Sequence, residues 1–302
     1  MIKVYITGIA GLLGNALAYE LKNKYMISGA DRNELDVYGC EYDVFDLLDF
    51  YKLESSLKER QPDVIIHAAA LVNVDGCEEN KILAHRMNVE LTDFLVDYAE
   101  KNTIKLIYIS TDAVFDGARK DYLYTEDDIP NPLNEYGKTK LEGEKRVLCL
   151  DDGLVLRTNI YGLNIRNKLS FGEWIVSSLE DEQTLNMFTD ILFSPLLANE
   201  LVKIIDQCIE QNLSGLYHAC ATGSISKYAF GVHLKNAFGI QSGEIKKSTS
   251  KQAMLKAKRS TNMGMSNEKL RMKLQIEIST PIEGIDGFKK IYNYQRGTNY
   301  GN

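Results

Sequence analysis

The chain has 302 residues, 44% of them hydrophobic and 25% charged, enough to bury a large core and to divide into two lobes. Its net charge of −7 and isoelectric point near 5.3 exclude the basic surface that nucleic acid or an anionic membrane requires. Cys40, Cys77, Cys149, Cys208 and Cys220 are scattered singly, which speaks against a metal site and a disulfide framework, and no apolar run approaches the ~20 residues that span a bilayer.

Met1 leads into an apolar strand without a charged leader, so no signal peptide and a cytoplasmic location are expected. Ile2 to Thr7 reads as a buried strand, followed at once by Gly8-x-x-Gly11-x-x-Gly14 and by helical periodicity from Leu12 to Leu21. Strand, glycine turn and helix in that order open a dinucleotide-binding fold. The glycines let the backbone approach a pyrophosphate, which the helix N-terminus attracts, so Gly8, Gly11, Leu12, Leu13 and Gly14 are cofactor candidates. A second strand over Tyr25–Ala30 ends at Asp31-Arg32. Asp31 suits the ribose hydroxyls of NAD, whereas Arg32 suits the 2′-phosphate of NADP, and both cofactors stay open.

Glu41–Asp43 reads as a short strand, and Asp46 as the N-cap of a helix running to Arg60. Asp43, with Val44 beside it, is either an adenine contact or a turn carboxylate. The strand from Asp63 runs into Ala68-Ala69-Ala70, small residues that allow either close approach of a cofactor or tight helix–sheet packing. His67, in an apolar run, reads as a core histidine. Asp75–Asn102 is one broken helical region, with Asn88 expected to hydrogen-bond the backbone of a neighbouring strand. Lys105–Ile109 is a fifth strand ending at Ser110-Thr111-Asp112, where ligands of open parallel sheets bind.

In Glu135–Glu144, Tyr136 and Lys140 stand at i and i+4 and share a helix face. An ammonium beside a phenol favours the ionised form and brings a group of pKa ~10 toward working range. Leu154–Thr158 is the next strand and leads to Asn159. Beyond residue 162 the alternation loosens: Phe171–Leu179, Leu196–Gln211 and Lys227–Phe238 read as helices, Thr184–Phe188 and Leu216–Ala219 as extended. Ser242–Arg259, rich in Lys and Ser, reads as surface-lying or mobile, and Asn293–Asn302 as a frayed tail.

Together, Gly8-x-x-Gly11-x-x-Gly14, His67-Ala68-Ala69-Ala70, Ser110-Thr111-Asp112 and Tyr136-x-x-x-Lys140 resemble the extended short-chain dehydrogenase/reductases. The wording Ser110–Gly117 and Tyr136-Gly137-Lys138-Thr139-Lys140 is similar to the dTDP-4-dehydrorhamnose reductase group. The resemblance implies an α/β fold: a Rossmann-type doubly wound parallel sheet over 1–162, completed by about 184–215, with a smaller α+β substrate lobe from 163–183 and 216–302. It also implies Tyr136 as general acid, Lys140 on the nicotinamide ribose and lowering the tyrosine pKa, and Thr111 on the substrate carbonyl. Asp112 and Asn159 are further substrate candidates, NADPH or NADH is the cofactor, and the substrate is a nucleotide sugar with its 4-keto group reduced. A homodimer is one assembly left open. Related dehydratases place Asp-Glu after the threonine, but here Ala113 follows Asp112, which argues for carbonyl reduction. Family reductases carry a tryptophan after the Arg-Thr-Ser strand end, whereas the only tryptophan here is Trp174, so the sugar is left open. Two other functions fit the same motifs. One is a sugar-nucleotide 4-epimerase, and the other a cofactor-binding regulatory subunit resembling the beta subunit of methionine adenosyltransferase.

Overall fold

The computed structural model describes residues 1–165, 168–253 and 256–299. Six strands carry the first half: β1 (Lys3–Thr7), β2 (Met26–Asp31), β3 (Tyr42–Val44), β4 (Val64–His67), β5 (Lys105–Thr111) and β6 (Leu154–Thr158). Between them run α1 (Leu12–Leu21), α2 (Phe50–Arg60), α3 (Val74–Glu79), α4 (Lys81–His85), a π-helical turn at Arg86–Glu90, α5 (Leu91–Asn102) and α6 (Glu135–Val147). The second half adds β7 (Ile160–Tyr161), α7 (Phe171–Glu180), β8 (Thr184–Phe188), β9 (Leu192–Phe193), β10 (Leu196–Leu197), α8 (Ala198–Glu210) and β11 (Gly215–His218). It closes with β12 (Ile225–Ser226), α9 (Lys227–Phe238), β13 (Glu244–Ser248), β14 (Asn262–Met263), α10 (Glu268–Leu274) and α11 (Pro281–Asn299).

Seven strands form one sheet in the order β11-β6-β5-β4-β1-β2-β3, all parallel. The order reverses next to β1, which is where open sheets of this kind bind ligands. Strands β4 to β6 are buried along their length because helices cover both faces, so they read as continuous apolar runs. On one face Leu13, Leu17 and Leu21 of α1 pack against Leu201, Ile204, Ile205 and Cys208 of α8. On the other, Leu53 and Leu57 of α2 meet Leu91 and Leu95 of α5. Each such fully buried aliphatic chain contributes about 1.5–3 kcal/mol of transfer free energy.

Strand pairing moves the lobe boundary expected from sequence. Residues 215–218 join the main sheet beside β6, and Leu270, Leu274 and Ile278 belong to its core. Conversely, β8 pairs with β13 and β9 with β12 and β14, so 184–193 falls in the smaller lobe. Linear order is silent on this, since partners come from opposite ends of the second half. That lobe has its own core, in which Tyr161, Leu179, Met187, Phe193, Phe230 and Phe288 pack together.

Other expectations shift locally. Asp49, not Asp46, caps α2, accepting from the Lys52 N–H at 3.2 Å, while Asp46 closes a turn onto the Leu48 N–H. The broken helical region is real, interrupted at Asn80 and again by the π turn. The Lys- and Ser-rich segment lies at the surface, as one of the two alternatives had it, but contains an ordered strand, β13, paired with β8; residues 254–255 of it lie outside the described residues. Helix α11 continues to Asn299 where a frayed tail was expected, and residues 300–302 lie outside the described residues.

Candidate functional site

The glycine turn is built as its spacing suggests. Gly8 adopts φ +74°, in the left-handed region, and its N–H donates to the Ala30 carbonyl at 2.8 Å. A Cβ on Gly14 would lie 2.3 Å from the Gly8 carbonyl oxygen, so no other residue fits there. Gly11 precedes α1 in extended conformation without a side-chain cap, leaving the first N–H groups of the helix to face a ligand. This backbone cradle is what a pyrophosphate requires, and the donor set fits a dinucleotide. The alanine patch divides. Ala69 backbone lies 3.1 Å from where a Gly8 Cβ would stand and serves close packing, whereas Ala68 and Ala70 line the cavity.

At the end of β2, Asp31 is buried and accepts from the Asn33 N–H at 3.0 Å and from Asn33 Nδ2 at 2.9 Å, while Arg32 is exposed. Asp43, in β3, accepts from Ser56 Oγ at 2.6 Å and from Arg60 Nη2 at 3.1 Å, both on α2, so it is neither in a turn nor without partners, and Val44 is exposed beside it. Asp31→Ala is expected to shift the ratio of affinities toward NADP, and Arg32→Ala toward NAD. A hydrogen bond to a charged group contributes about 1.5–3 kcal/mol, so each shift should be roughly tenfold or more. Binding titrations of both variants with both cofactors check this, and unchanged ratios would place adenosine recognition elsewhere.

A cavity of about 780 Å³ lies beyond the carboxyl ends of β4, β5 and β6. It is lined by Leu12, Leu13, Ala68, Thr111, Asp112, Tyr136, Lys140 and Asn159 from the larger unit. The approach of α6 to β5 has a specific cause. Asn134 caps α6 through the Gly137 N–H at 2.9 Å, and a Cβ at Gly137 would meet the Ala113 carbonyl oxygen at 2.3 Å. Glycine at 137 therefore lets the first turn of α6 rest on the loop after Thr111. From the other side, Asn88 in the π turn accepts from the Leu71 N–H at 2.9 Å and donates to Thr139 Oγ1 at 3.0 Å. Asn88 thus binds the chain just after β4, close to the backbone contact expected for it. His67 is held between Thr7 Oγ1 at 2.8 Å and Thr92 Oγ1 at 3.2 Å, a satisfied core histidine.

Lys140 is 2% exposed, its Nζ donates to the Ile109 carbonyl at 2.7 Å and stands 3.9 Å from the Tyr108 ring centre. Burial pushes its ammonium down to about 7, against the pull of Glu144. Burial likewise raises the Tyr136 phenol well above its ordinary range, assisted by the Asp112 charge and opposed by its hydrogen bond with Thr111. The expected lowering of the phenol by Lys140 is therefore not the dominant effect here: the ammonium is turned to Ile109 and is itself desolvated. The phenol keeps its proton. Asp112, 2% exposed, is raised to about 6, again by burial, with hydrogen bonds from Asn159 and Thr111 opposing.

Behind this face lies a buried ion pair. Glu144 accepts from Arg157 Nη2 at 2.7 Å and Nε at 3.0 Å, and from Ser110 Oγ at 2.5 Å. The opposite wall of the cavity comes from the smaller lobe and carries residues that sequence reasoning missed. Trp174 stacks with Phe171, and Lys227 Nζ stands 4.4 Å from the Phe171 ring centre and 5.0 Å from that of Phe193. Arg259 also lines it, bonded through Nη2 to Asp75 at 3.1 Å. The single tryptophan was a usable signal for Trp174; Lys227, the first residue of a helix, carried none. Among the described residues no helix is long and apolar enough to cross a membrane.

The sequence model of the RmlD substrate binding domain family matches residues 2–291. The chain belongs to this family. Among curated relatives, a probable low-salt glycan biosynthesis reductase, Agl14, from Haloferax volcanii is 30% identical over 78% of this chain and 80% of its own length. Methionine adenosyltransferase 2 subunit beta of Danio rerio is 30% identical over 93% of this chain and 88% of its own. The dTDP-4-dehydrorhamnose reductase of Bacillus anthracis str. Ames, solved in complex with NADP, is 27% identical, with a TM-score of 0.85 over 95% of this chain and 99% of that one. In this family member the motif residues Thr111, Tyr136 and Lys140 line one wall of the cavity, and Trp174 and Lys227 line the other.

Proposed function

We propose that this chain reduces the 4-keto group of a nucleotide-activated deoxysugar, with Tyr136 as proton donor, Lys140 on the nicotinamide ribose and Thr111 on the carbonyl oxygen. The protein is an NAD(P)H-dependent oxidoreductase of nucleotide sugars. The observation that carries the residue assignments is that Thr111, Tyr136 and Lys140 line one cavity whose rim is the Leu12–Leu13 helix start. The Gly8–Gly14 cradle would hold the pyrophosphate, and the reduced nicotinamide supplies a hydride when bound.

The chain's own groups do the rest. A phenol kept protonated by burial is suited to giving a proton to a forming alkoxide, the direction a reductase needs. Lys140, half-charged near neutrality, shares the buried wall with it and can restore the proton. Asp112 is followed by Ala113, so the second carboxylate that elimination of water uses has no counterpart at that position. Asp31, Arg32, Asp43 and Val44 are proposed for the adenosine end, and Asp112 and Asn159 for the sugar.

Turnover of NADH and NADPH against a panel of nucleotide 4-keto sugars tests the proposal, with consumption of reduced nicotinamide for at least one dTDP-linked ketone as the expected result. Thr111→Val should lower kcat/KM about 10²-fold, the usual loss for one donor to a developing oxyanion, without weakening cofactor binding. A second reading is favoured by the likeness to methionine adenosyltransferase 2 subunit beta: a non-catalytic subunit beside a larger enzyme. Co-purification with such a partner and no turnover across the panel would put that reading first.

A further inference from the structure

Thr111 has one proton to give, and Asp112 takes it. Thr111 Oγ1 donates to Asp112 Oδ1 at 3.1 Å and accepts from the Ala113 N–H at 3.1 Å. The other carboxylate oxygen, Oδ2, accepts from Asn159 Nδ2 at 2.7 Å. A hydroxyl offers one donor and two lone pairs. With Asp112 ionised, the Thr111 proton and one lone pair are committed. The remaining lone pair serves a partner that itself donates, such as an alcohol or the Tyr136 phenol. A ketone oxygen, which only accepts, can still meet the Tyr136 proton but finds no donor in Thr111.

The neutral acid inverts this. Asn159 Nδ2 can only donate, so it reserves Oδ2 as an acceptor and leaves the acid proton to Oδ1, the oxygen that faces Thr111. From there the acid donates to Thr111 Oγ1, and the threonine proton is released toward the cavity. We propose that Asp112 is a positioning residue that decides, through Thr111, whether the site favours the ketone or the alcohol of its substrate pair. The proposal rests on the reading of the chain as a sugar ketone reductase. Neutral Asp112 makes Thr111 a donor and favours the ketone; ionised Asp112 makes it an acceptor and favours the alcohol.

The surroundings let the acid change state in the working range. Asp112 is 2% exposed and burial raises its carboxyl to about 6, with Asn159, Thr111 and the Lys227 charge opposing. The titratable groups around it are Lys227 from α9, Tyr136 from α6 and the Cys220 thiol after β11, the last two each held more firmly protonated by the Asp112 charge. Neither of those two loses its proton near neutrality, since both are raised. Lys140, at about 7, is the other group expected to break a pH profile. Because the active form for reduction is the neutral acid, kcat/KM for reduction should fall as pH rises through about 6, and that for oxidation should rise.

The experiment compares the protein with Asp112→Asn in both directions between about pH 5 and about pH 8, using a dTDP-linked 4-keto sugar with NADPH and the corresponding alcohol with NADP. The asparagine amide mimics the neutral acid, its nitrogen facing Thr111 and its oxygen facing Asn159. The parent's reduction should fall about tenfold per unit above the break, whereas the variant should show a fall at least tenfold smaller over the same range, keeping only the Lys140 break. Infrared difference spectra of the two proteins without substrate should show a protonated carboxyl in the parent that disappears through about pH 6. A variant with the parent's break, or a parent with no protonated carboxyl at low pH, overturns the proposal. A parent inactive on every ketone but with the infrared titration intact overturns the functional reading and leaves the proton arrangement standing.

Discussion

Tyr136→Phe is expected to lower kcat by about 10²–10⁴-fold, the range attributed to a positioned acid–base group, with cofactor affinity nearly unchanged. The substitution keeps the ring against its neighbours and removes only the hydroxyl. That hydroxyl is protonated throughout the neutral range because burial raises it, so the parent enters each turnover with the proton in place. Lys140→Met should differ in kind, reducing both rate and cofactor affinity, since its ammonium is assigned to the ribose as well as to the proton path. Steady-state kinetics and cofactor titration of the two variants separate the roles. A Tyr136→Phe protein working at the parent rate would remove the catalytic assignment.

The second large effect is structural. Arg157→Met leaves Glu144, 1% exposed, with its charge buried and its best partner gone; removing one member of such a pair typically costs about 3–5 kcal/mol. Glu144 keeps the Ser110 hydroxyl, but a single neutral donor does not replace a guanidinium bonded through both Nε and Nη2. The double change Glu144→Leu with Arg157→Met should cost less than the single one, because no uncompensated charge remains. Denaturant unfolding of the three proteins measures this. A single-variant loss below about 1 kcal/mol, or a double-variant loss no smaller than the single one, would show that the pair is not desolvated as described.

Glu144 also shows why some of the molecule was illegible in its sequence. It stands on a helix rich in Lys and Glu, a pattern equally compatible with solvated charge, and its buried partner Arg157 arrives from β6. The glycine turn, Thr111 and the Tyr136–Lys140 face were readable because their chemistry depends on residues close in sequence. Gly137 belongs to that readable stretch, yet its purpose depends on the Ala113 carbonyl of a preceding loop and was missed. Strand β13 was missed because a half-exposed edge strand of Lys and Ser lacks the apolar alternation that marks a strand. Lys227 and Arg259 reach the cavity from far along the chain, where no local pattern announces them.

The two walls of the cavity rest on separate cores, one beneath the seven-stranded sheet and one inside the smaller lobe. Under the proposed function, substitutions at Trp174, Asn186 or Met263 would therefore change the lobe-side wall against the sugar and leave in place the packing that carries Tyr136 and Thr111. Recognition on that wall and the reacting groups on the other would then be open to change one at a time.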